Sequence, residues 1–290
     1  MNKIKEYIKL IRVKHWFKNL LVFLPLIFSR ELFDKNKIIS CILAFFAFSF
    51  ISSVVYIIND MKDIENDRKH PIKKKRPLAS GTVKKSEGIV LGVVLLIISF
   101  AINFYITKNL IAMLLIALYL LLNIAYSVSL KKKPIIDIVI LVSGFFIRVL
   151  YGAIINNIEL SNWLYLTVIS GSFYIGLGKR RNEIIKQGDK SREVLKYYTK
   201  SFLDKNMYVC EALCIVFYSL WCVDPAIVAS LNHNYLVWSV PIVMIILMKY
   251  SLDIEGDSFG DPVDVLFTDK ILLTIVLLYS LVMFGIIYLI

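Results

Sequence analysis

The stretch Ile38-Ile39-Ser40-Cys41-Ile42-Leu43-Ala44-Phe45-Phe46-Ala47-Phe48-Ser49-Phe50-Ile51-Ser52-Ser53-Val54-Val55-Tyr56-Ile57-Ile58-Asn59 runs directly into Asp60-Met61-Lys62-Asp63-Ile64-Glu65-Asn66-Asp67. The first part carries no charged residue, and its length spans a hydrocarbon core as a helix, which takes roughly 20 residues. Lipid offers no partner for a bare N–H or C=O group, so an apolar run this continuous reads as a helix. The second part sets four acidic residues just beyond the end of that helix.

Working outward, eight more apolar runs complete a set of candidate spans at about 20–34, 38–59, 88–107, 110–129, 135–155, 162–178, 208–223, 235–250 and 271–290. The chain has 290 residues, of which 58% are hydrophobic, and its mean hydropathy is +0.70. Soluble domains are nearer half apolar. The expected fold class is therefore all-α: a polytopic membrane protein with nine transmembrane helices, forming one membrane domain over 1–290. A soluble globular enzyme is excluded.

Basic residues are distributed unevenly about these spans. The segments 1–19, 60–87, 131–133 and 179–205, with Lys249 and Lys270, hold 29 of the 34 Lys and Arg residues. Arg30, Lys35, Lys37 and Lys108 lie on the other side, and Arg148 lies inside a span. By the positive-inside rule the first side is cytoplasmic. The loops at about 60–87, 130–134, 179–206 and 251–270 are then cytoplasmic, and the protein is expected to be multi-pass in a bacterial inner membrane. The net charge of +12 is a topology signal, and nucleic acid is not expected as a partner. Residues 1–19, with six basic residues and only short apolar stretches, do not form a signal peptide. Cys41, Cys210, Cys214 and Cys222 lie in or beside apolar runs and read as small buried hydrophobes. His15, His70 and His233 are too scattered for a metal cluster.

On a helix at about 100° per residue, Asp60, Asp63 and Asp67 fall within about 60° of one another. Tyr56 and Asn59 share that face, and Glu65 points away. Carboxylates this close require a cation. Mg²⁺ is the natural one, held by one or two carboxylates plus substrate phosphates. Asp60, Asp63 and Asp67 are the candidate metal ligands, and Asp60, Asp63 and Asn59 the candidate catalytic residues.

Basic groups accompany this stripe. Lys14 and Lys18 flank His15-Trp16-Phe17. Arg68 follows the acids, and Arg76 opens the turn-rich Arg76-Pro77-Leu78-Ala79-Ser80-Gly81. Lys131 follows Tyr126-Ser127, and Lys179-Arg180-Arg181 follows a Gly-rich stretch. Arg148 lies about 20° in azimuth and roughly 16 Å along a helix from Asp137. Gly144 and Gly152 flank it, permitting close approach. An arginine at that depth must face the protein interior or a wet cavity. With Tyr56, Tyr126 and Asp137, these are the candidate substrate-binding residues. Acids and cations at a membrane surface suit a substrate with several phosphates, and an apolar bundle suits a lipid tail. Together they point to transfer between a phosphorylated soluble molecule and a membrane lipid.

The ordered motifs resemble those of the UbiA-type prenyltransferase superfamily, and within it the decaprenyl-phosphate phosphoribosyltransferase branch. The likeness is carried by Arg12-x-Lys14-x-Trp16-x-Lys18-Asn19, Tyr56-x-x-Asn59-Asp60-x-x-Asp63-x-x-x-Asp67, Arg76-Pro77-x-Ala79-Ser80-Gly81, Tyr126-Ser127-x-x-Leu130-Lys131, Asp137, Gly144-Phe145-x-x-Arg148-x-x-x-Gly152 and Gly178-Lys179-Arg180-Arg181-x-Glu183. It implies a nine-helix UbiA-like bundle with a central cavity open to the cytoplasmic side. It also implies Mg²⁺-dependent transfer of 5-phosphoribosyl from 5-phosphoribosyl diphosphate to a polyprenyl phosphate lipid, a step in cell wall biosynthesis in that branch. Aromatic prenyltransferases of the superfamily carry a second aspartate-rich motif near the end of the sixth helix. Here that place reads Lys179-Arg180-Arg181-Asn182-Glu183, which disfavours a polyprenyl diphosphate donor. The tail Asp253-x-x-Gly256-Asp257…Gly260-Asp261-Pro262-x-Asp264 is expected to cover the site. Two other readings remain: an aromatic prenyltransferase, and a non-enzymatic transporter of an anionic solute. A homo-oligomer is compatible with the sequence, which does not fix the copy number.

Overall fold

A computed structural model describes residues 3–69, 73–187, 192–256 and 261–290, and no strand occurs among them. By contacts the chain divides into two compact units: Met1–Leu130 with Ile147–Ile158, and Lys131–Phe146 with Glu159–Ile290.

The first unit begins with α1 (Lys3–Leu10), a 3-10 helix over Val13–Phe23 and α2 (Leu24–Phe28). The opening stretch then forms α3 (Lys35–Lys62), started by Asp34, whose side chain accepts from the N–H groups of Asn36 and Lys37. After it come α4 (Ile64–Lys69), α5 (Pro77–Ser80), α6 (Lys85–Ile106) and α7 (Leu110–Val128). Gly81, at φ 79°, ends α5 in a left-handed conformation that glycine adopts without strain. The last half of α8 (Ile136–Ile155) completes the unit.

The core of this unit joins Ala44, Ala47, Phe48, Ile51 and Val55 of α3 to Ala112, Ile116 and Tyr119 of α7 and Ile147 and Tyr151 of α8. Polar side chains inside it join neighbouring helices. Ser99 Oγ donates to the Ala47 carbonyl, and Asn19 Nδ2 to Ser49 Oγ, as a lipid-embedded bundle requires. At Gly152 a Cβ would lie 2.0 Å from the Val22 carbonyl oxygen, so only glycine lets α8 and the 3-10 helix approach this closely.

The second unit holds the start of α8, α9 (Asn162–Gln187), α10 (Lys200–Cys222), α11 (Pro225–Leu231), α12 (Val240–Glu255), α13 (Pro262–Thr268) and α14 (Lys270–Phe284). Its core packs Ile138 and Val142 against Tyr174, Leu177, Leu203, Met207, Tyr250 and Ile254. Val194 and Leu195 sit fully inside that core, which fastens the connection between α9 and α10.

The chain is a multi-pass membrane protein. Six helical segments among the described residues are long and apolar enough to cross a bilayer: α3, α6, α7, α8, Tyr235–Glu255 and Lys270–Leu289. A seventh counts if α10 and α11, bent by 50°, form one span. The expected spans near 20–34, 162–178 and 208–223 look different in three dimensions. The first breaks at Ser29 and Arg30, where φ is 64°. The second lies in α9, whose C-terminal turns carry Lys179, Arg180, Arg181 and Glu183. The third lies in the bent pair.

Candidate active site

The acidic stripe is not one continuous helix. α3 ends at Lys62, and Asp63 (φ −96°, ψ 10°) caps it, its N–H donating to the Asn59 carbonyl. The chain turns there and re-enters a helix at Ile64. Asp60 and Asp67 are buried, Asp63 is half-buried, and Glu65 is exposed and paired with Arg68.

An arginine joins the two buried acids. Arg76 Nη1 donates to Asp60 Oδ1 at 3.0 Å and to Asp67 Oδ2 at 2.7 Å. Arg76 is the residue just before α5, where Pro77 fixes the first turn. A second arginine, Arg12, reaches Asp60 Oδ1 at 2.5 Å from Nη2. Its guanidinium lies 4.6 Å from the centroid of the Tyr56 ring, which His15 also packs against. Arg12 has φ 52° and ψ 51°, a left-handed conformation costing a non-glycine residue roughly 1–2 kcal/mol. The ion pair and the ring contact hold it there. Two carboxylates and two guanidiniums thus form one balanced cluster, drawn from four segments of the first unit.

The donor set fits Mg²⁺. Both carboxylates present oxygens to a single cationic nitrogen, so the chain already places positive charge between two hard oxygen donors. Among the described residues no group of three or more His, Cys, Asp or Glu side chains is gathered for a metal. A two-carboxylate site matches the way Mg²⁺ is bound when phosphates complete its shell.

Further candidates belong to the same unit. Asn59 and Tyr56 are half-buried on the last turns of α3. Lys14 is exposed and Lys18 half-buried, both on the 3-10 helix. Arg68 Nε donates to the Ala79 carbonyl, so it ties α4 to α5. Tyr126 is half-buried near the end of α7. There the Lys62 ammonium donates to the Ser127 carbonyl at 2.7 Å. Arg148 is buried in the core of this unit. Its Nε donates to Asn19 Oδ1 at 2.7 Å and its Nη2 to Tyr119 Oη at 3.2 Å, with the rings of Phe48 and Tyr119 within 5.0 Å. It faces the interior, as its depth demanded.

A different cluster forms in the second unit. Arg180, 1% exposed, donates from Nε to Asp137 Oδ2 at 2.7 Å and from Nη1 to Glu183 Oε2 at 2.7 Å. The Tyr198 hydroxyl donates to Asp137 Oδ1 at 2.6 Å and accepts from the Ile135 N–H. Burial disfavours the Glu183 carboxylate, but the charges of Arg180, Arg192 and Lys179 outweigh it and hold its pKa below the ordinary value. Burial, and then the bond to Asp137, raise that of Tyr198. Arg181 pairs with Asp204. Lys179 lies 3.6 Å from Asp261, and Lys131 is half-buried. In the tail, Asp261 caps α13, while Asp257 and Gly260 lie outside the described residues.

Arg180 and Asp137 thus form a buried ion pair. Breaking a buried ion pair costs about 3–5 kcal/mol. Arg180→Met is therefore expected to lower the thermal midpoint of the detergent-purified protein by several degrees. An unchanged midpoint would mean that Arg180 does not brace this unit.

Sequence reasoning left Arg12, Tyr198 and Arg192 out of the candidate set. Arg12 stood in the Arg-x-Lys-x-Trp-x-Lys-Asn motif, and the acid it pairs with lies 48 residues on, so no local pattern joined them.

Residues 22–262 match the UbiA prenyltransferase family. The chain belongs to that family. It is 32% identical over 276 residues to a decaprenyl-phosphate phosphoribosyltransferase of Corynebacterium glutamicum, covering 91% of this chain and 81% of that one. It is 32% identical over 285 residues to the enzyme of that name in Mycolicibacterium smegmatis, covering 93% and 89%. Its fold matches a UbiA homologue from Archaeoglobus fulgidus bound to GPP and Mg²⁺, with a TM-score of 0.71, 16% identity, and coverage of 97% and 99%.

Proposed function

We propose that this UbiA-family chain is a polyprenyl-phosphate phosphoribosyltransferase: it moves 5-phosphoribosyl from 5-phosphoribosyl diphosphate to a polyprenyl phosphate and releases pyrophosphate. The observation that carries the reading is the buried Asp60–Asp67 pair with Arg12 and Arg76 upon it, at the end of a membrane helix. The relatives named for this reaction support it. The cluster is assigned to the cytoplasmic face of the inner membrane, where basic loops concentrate.

In the reaction, a phosphate oxygen of the lipid forms a bond to the anomeric carbon as the bond from that carbon to the diphosphate breaks. The lipid phosphate is already an anion, so no strong base is needed and positioning dominates. Asp60 and Asp67 would hold Mg²⁺, with Asp63 at the helix break as the third acid of the site. Mg²⁺ held there would supply positive charge to offset that of the departing diphosphate. Arg12 and Arg76 offer forked donors to phosphate oxygens. Tyr56 and Asn59 face the ribose. Lys14, Lys18, Arg68 and Tyr126 supply further polar contacts to the phosphorylated substrates.

The deciding experiment gives purified protein labelled 5-phosphoribosyl diphosphate and a polyprenyl phosphate, with and without Mg²⁺. Labelled lipid is expected only with the metal, and chelation should abolish it. If no labelled lipid forms while an aromatic acceptor is prenylated from a polyprenyl diphosphate, the reading fails.

A further inference from the structure

The N-terminal helix α1 presents two unlike faces. Glu6 and Leu10 are buried against the unit. Glu6 accepts from the Thr82 hydroxyl at 3.1 Å and pairs with Lys9 at 2.6 Å. The opposite face shows Ile4 and Ile8, 65% and 48% exposed and one helical turn apart, alongside Lys5. A short helix with apolar residues outward, flanked by lysines and joined to a membrane-spanning bundle, is suited to the bilayer interface.

Between α1 and the first turns of α6 lies a cleft of about 380 Å³, lined by Tyr7, Ser86, Glu87, Val90, Leu91 and Val94. Its top is polar, and its lower wall continues into the outward face of α6, where Val90 and Val94 are 62% and 44% exposed. Lys3 closes one side, bonded to Glu87 at 2.6 Å. That pair is neutral, and the exposed Lys84 and Lys85, directly before the lining residue Ser86, add positive charge at this end of α6.

We infer that this cleft binds one anionic phospholipid of the leaflet, headgroup against the lysine rim and acyl chain along Val90 and Val94. The polar-to-apolar gradient matches an amphiphile, and the rim matches a negative headgroup. The lipid also serves the site indirectly. The one Thr82 hydroxyl hydrogen is shared between Glu6 of α1 and the Pro77 carbonyl beside Arg76. Seating α1 at the interface steadies the segment that carries that arginine.

Native mass spectrometry of the full-length, delipidated protein with equimolar phosphatidylglycerol and phosphatidylcholine tests this. One phosphatidylglycerol per chain should be retained at least about tenfold over phosphatidylcholine. Val90→Trp, which fills the cleft, and the pair Lys84→Glu with Lys85→Glu should each remove that preference. Should Val90→Trp fail to fold, the charge-reversed pair decides the matter. Equal retention of the two lipids, or wild-type retention in the charge-reversed pair, overturns the inference. So does displacement of phosphatidylglycerol by equimolar polyprenyl phosphate, which would make the cleft an acceptor site.

Discussion

Asp60→Asn is expected to lower phosphoribosyl transfer by about 10²–10³-fold, the usual size of losing one preorganised electrostatic contact in a transition state. Asp60 receives both Arg12 and Arg76 on one oxygen and is 2% exposed. Asparagine keeps its shape but removes the charge that holds both guanidiniums and that would hold Mg²⁺. The loss should fall mainly on kcat, because the charge matters most as diphosphate departs. Asp67→Asn should cost less, since Asp67 is bonded to Arg76 and not to Arg12. Radiolabel transfer, measured alongside the elution profile of the purified protein, separates catalysis from folding. Wild-type turnover in Asp60→Asn would remove this carboxylate from the mechanism.

The all-helical membrane class was legible because α3 is apolar for longer than any soluble helix requires. Its end was legible too, since Asp60 lies where an ionisable group is costly. The helical phase was less informative. A continuous helix would run through Asp63, whereas the chain breaks there and Arg76 bridges Asp67 to Asp60. Such a contact depends on the path of the intervening turn, which no periodicity encodes. The basic triplet teaches the same lesson. Lys179-Arg180-Arg181 reads as a phosphate receptor, and the fold sets Asp137 and Glu183 beside Arg180 and Asp204 beside Arg181. A cation in sequence carries no record of which acid the fold will bring to it. Arg148 was readable for the opposite reason. Its depth left it only the interior, where Asn19 and Tyr119 receive it.

Arg76→Ala is expected to abolish turnover while making the protein more responsive to Mg²⁺. In the wild type the Arg76 guanidinium lies between Asp60 and Asp67, so divalent metal entering without substrate must compete with a fixed cation. Removing it leaves two buried carboxylates near each other with Arg12 alone beside Asp60. Uncompensated charge of that kind destabilises by a few kcal/mol, and the partial exposure of Arg76 holds the figure to about 2 kcal/mol. A metal that binds the folded state restores stability in proportion to its occupancy. The thermal midpoint of Arg76→Ala should therefore lie below the wild type without metal and rise steeply with millimolar Mg²⁺, whereas the wild type should barely respond until a diphosphate is added. This readout does not depend on turnover, so it separates the metal assignment from the identity of the substrate. If Mg²⁺ shifts both proteins equally, Asp60 and Asp67 are not the ligands, and Arg76 is a structural brace. If Arg76→Lys regains the wild-type midpoint but not transfer, the cation between the acids suffices for folding, and the forked geometry of arginine is what the diphosphate requires.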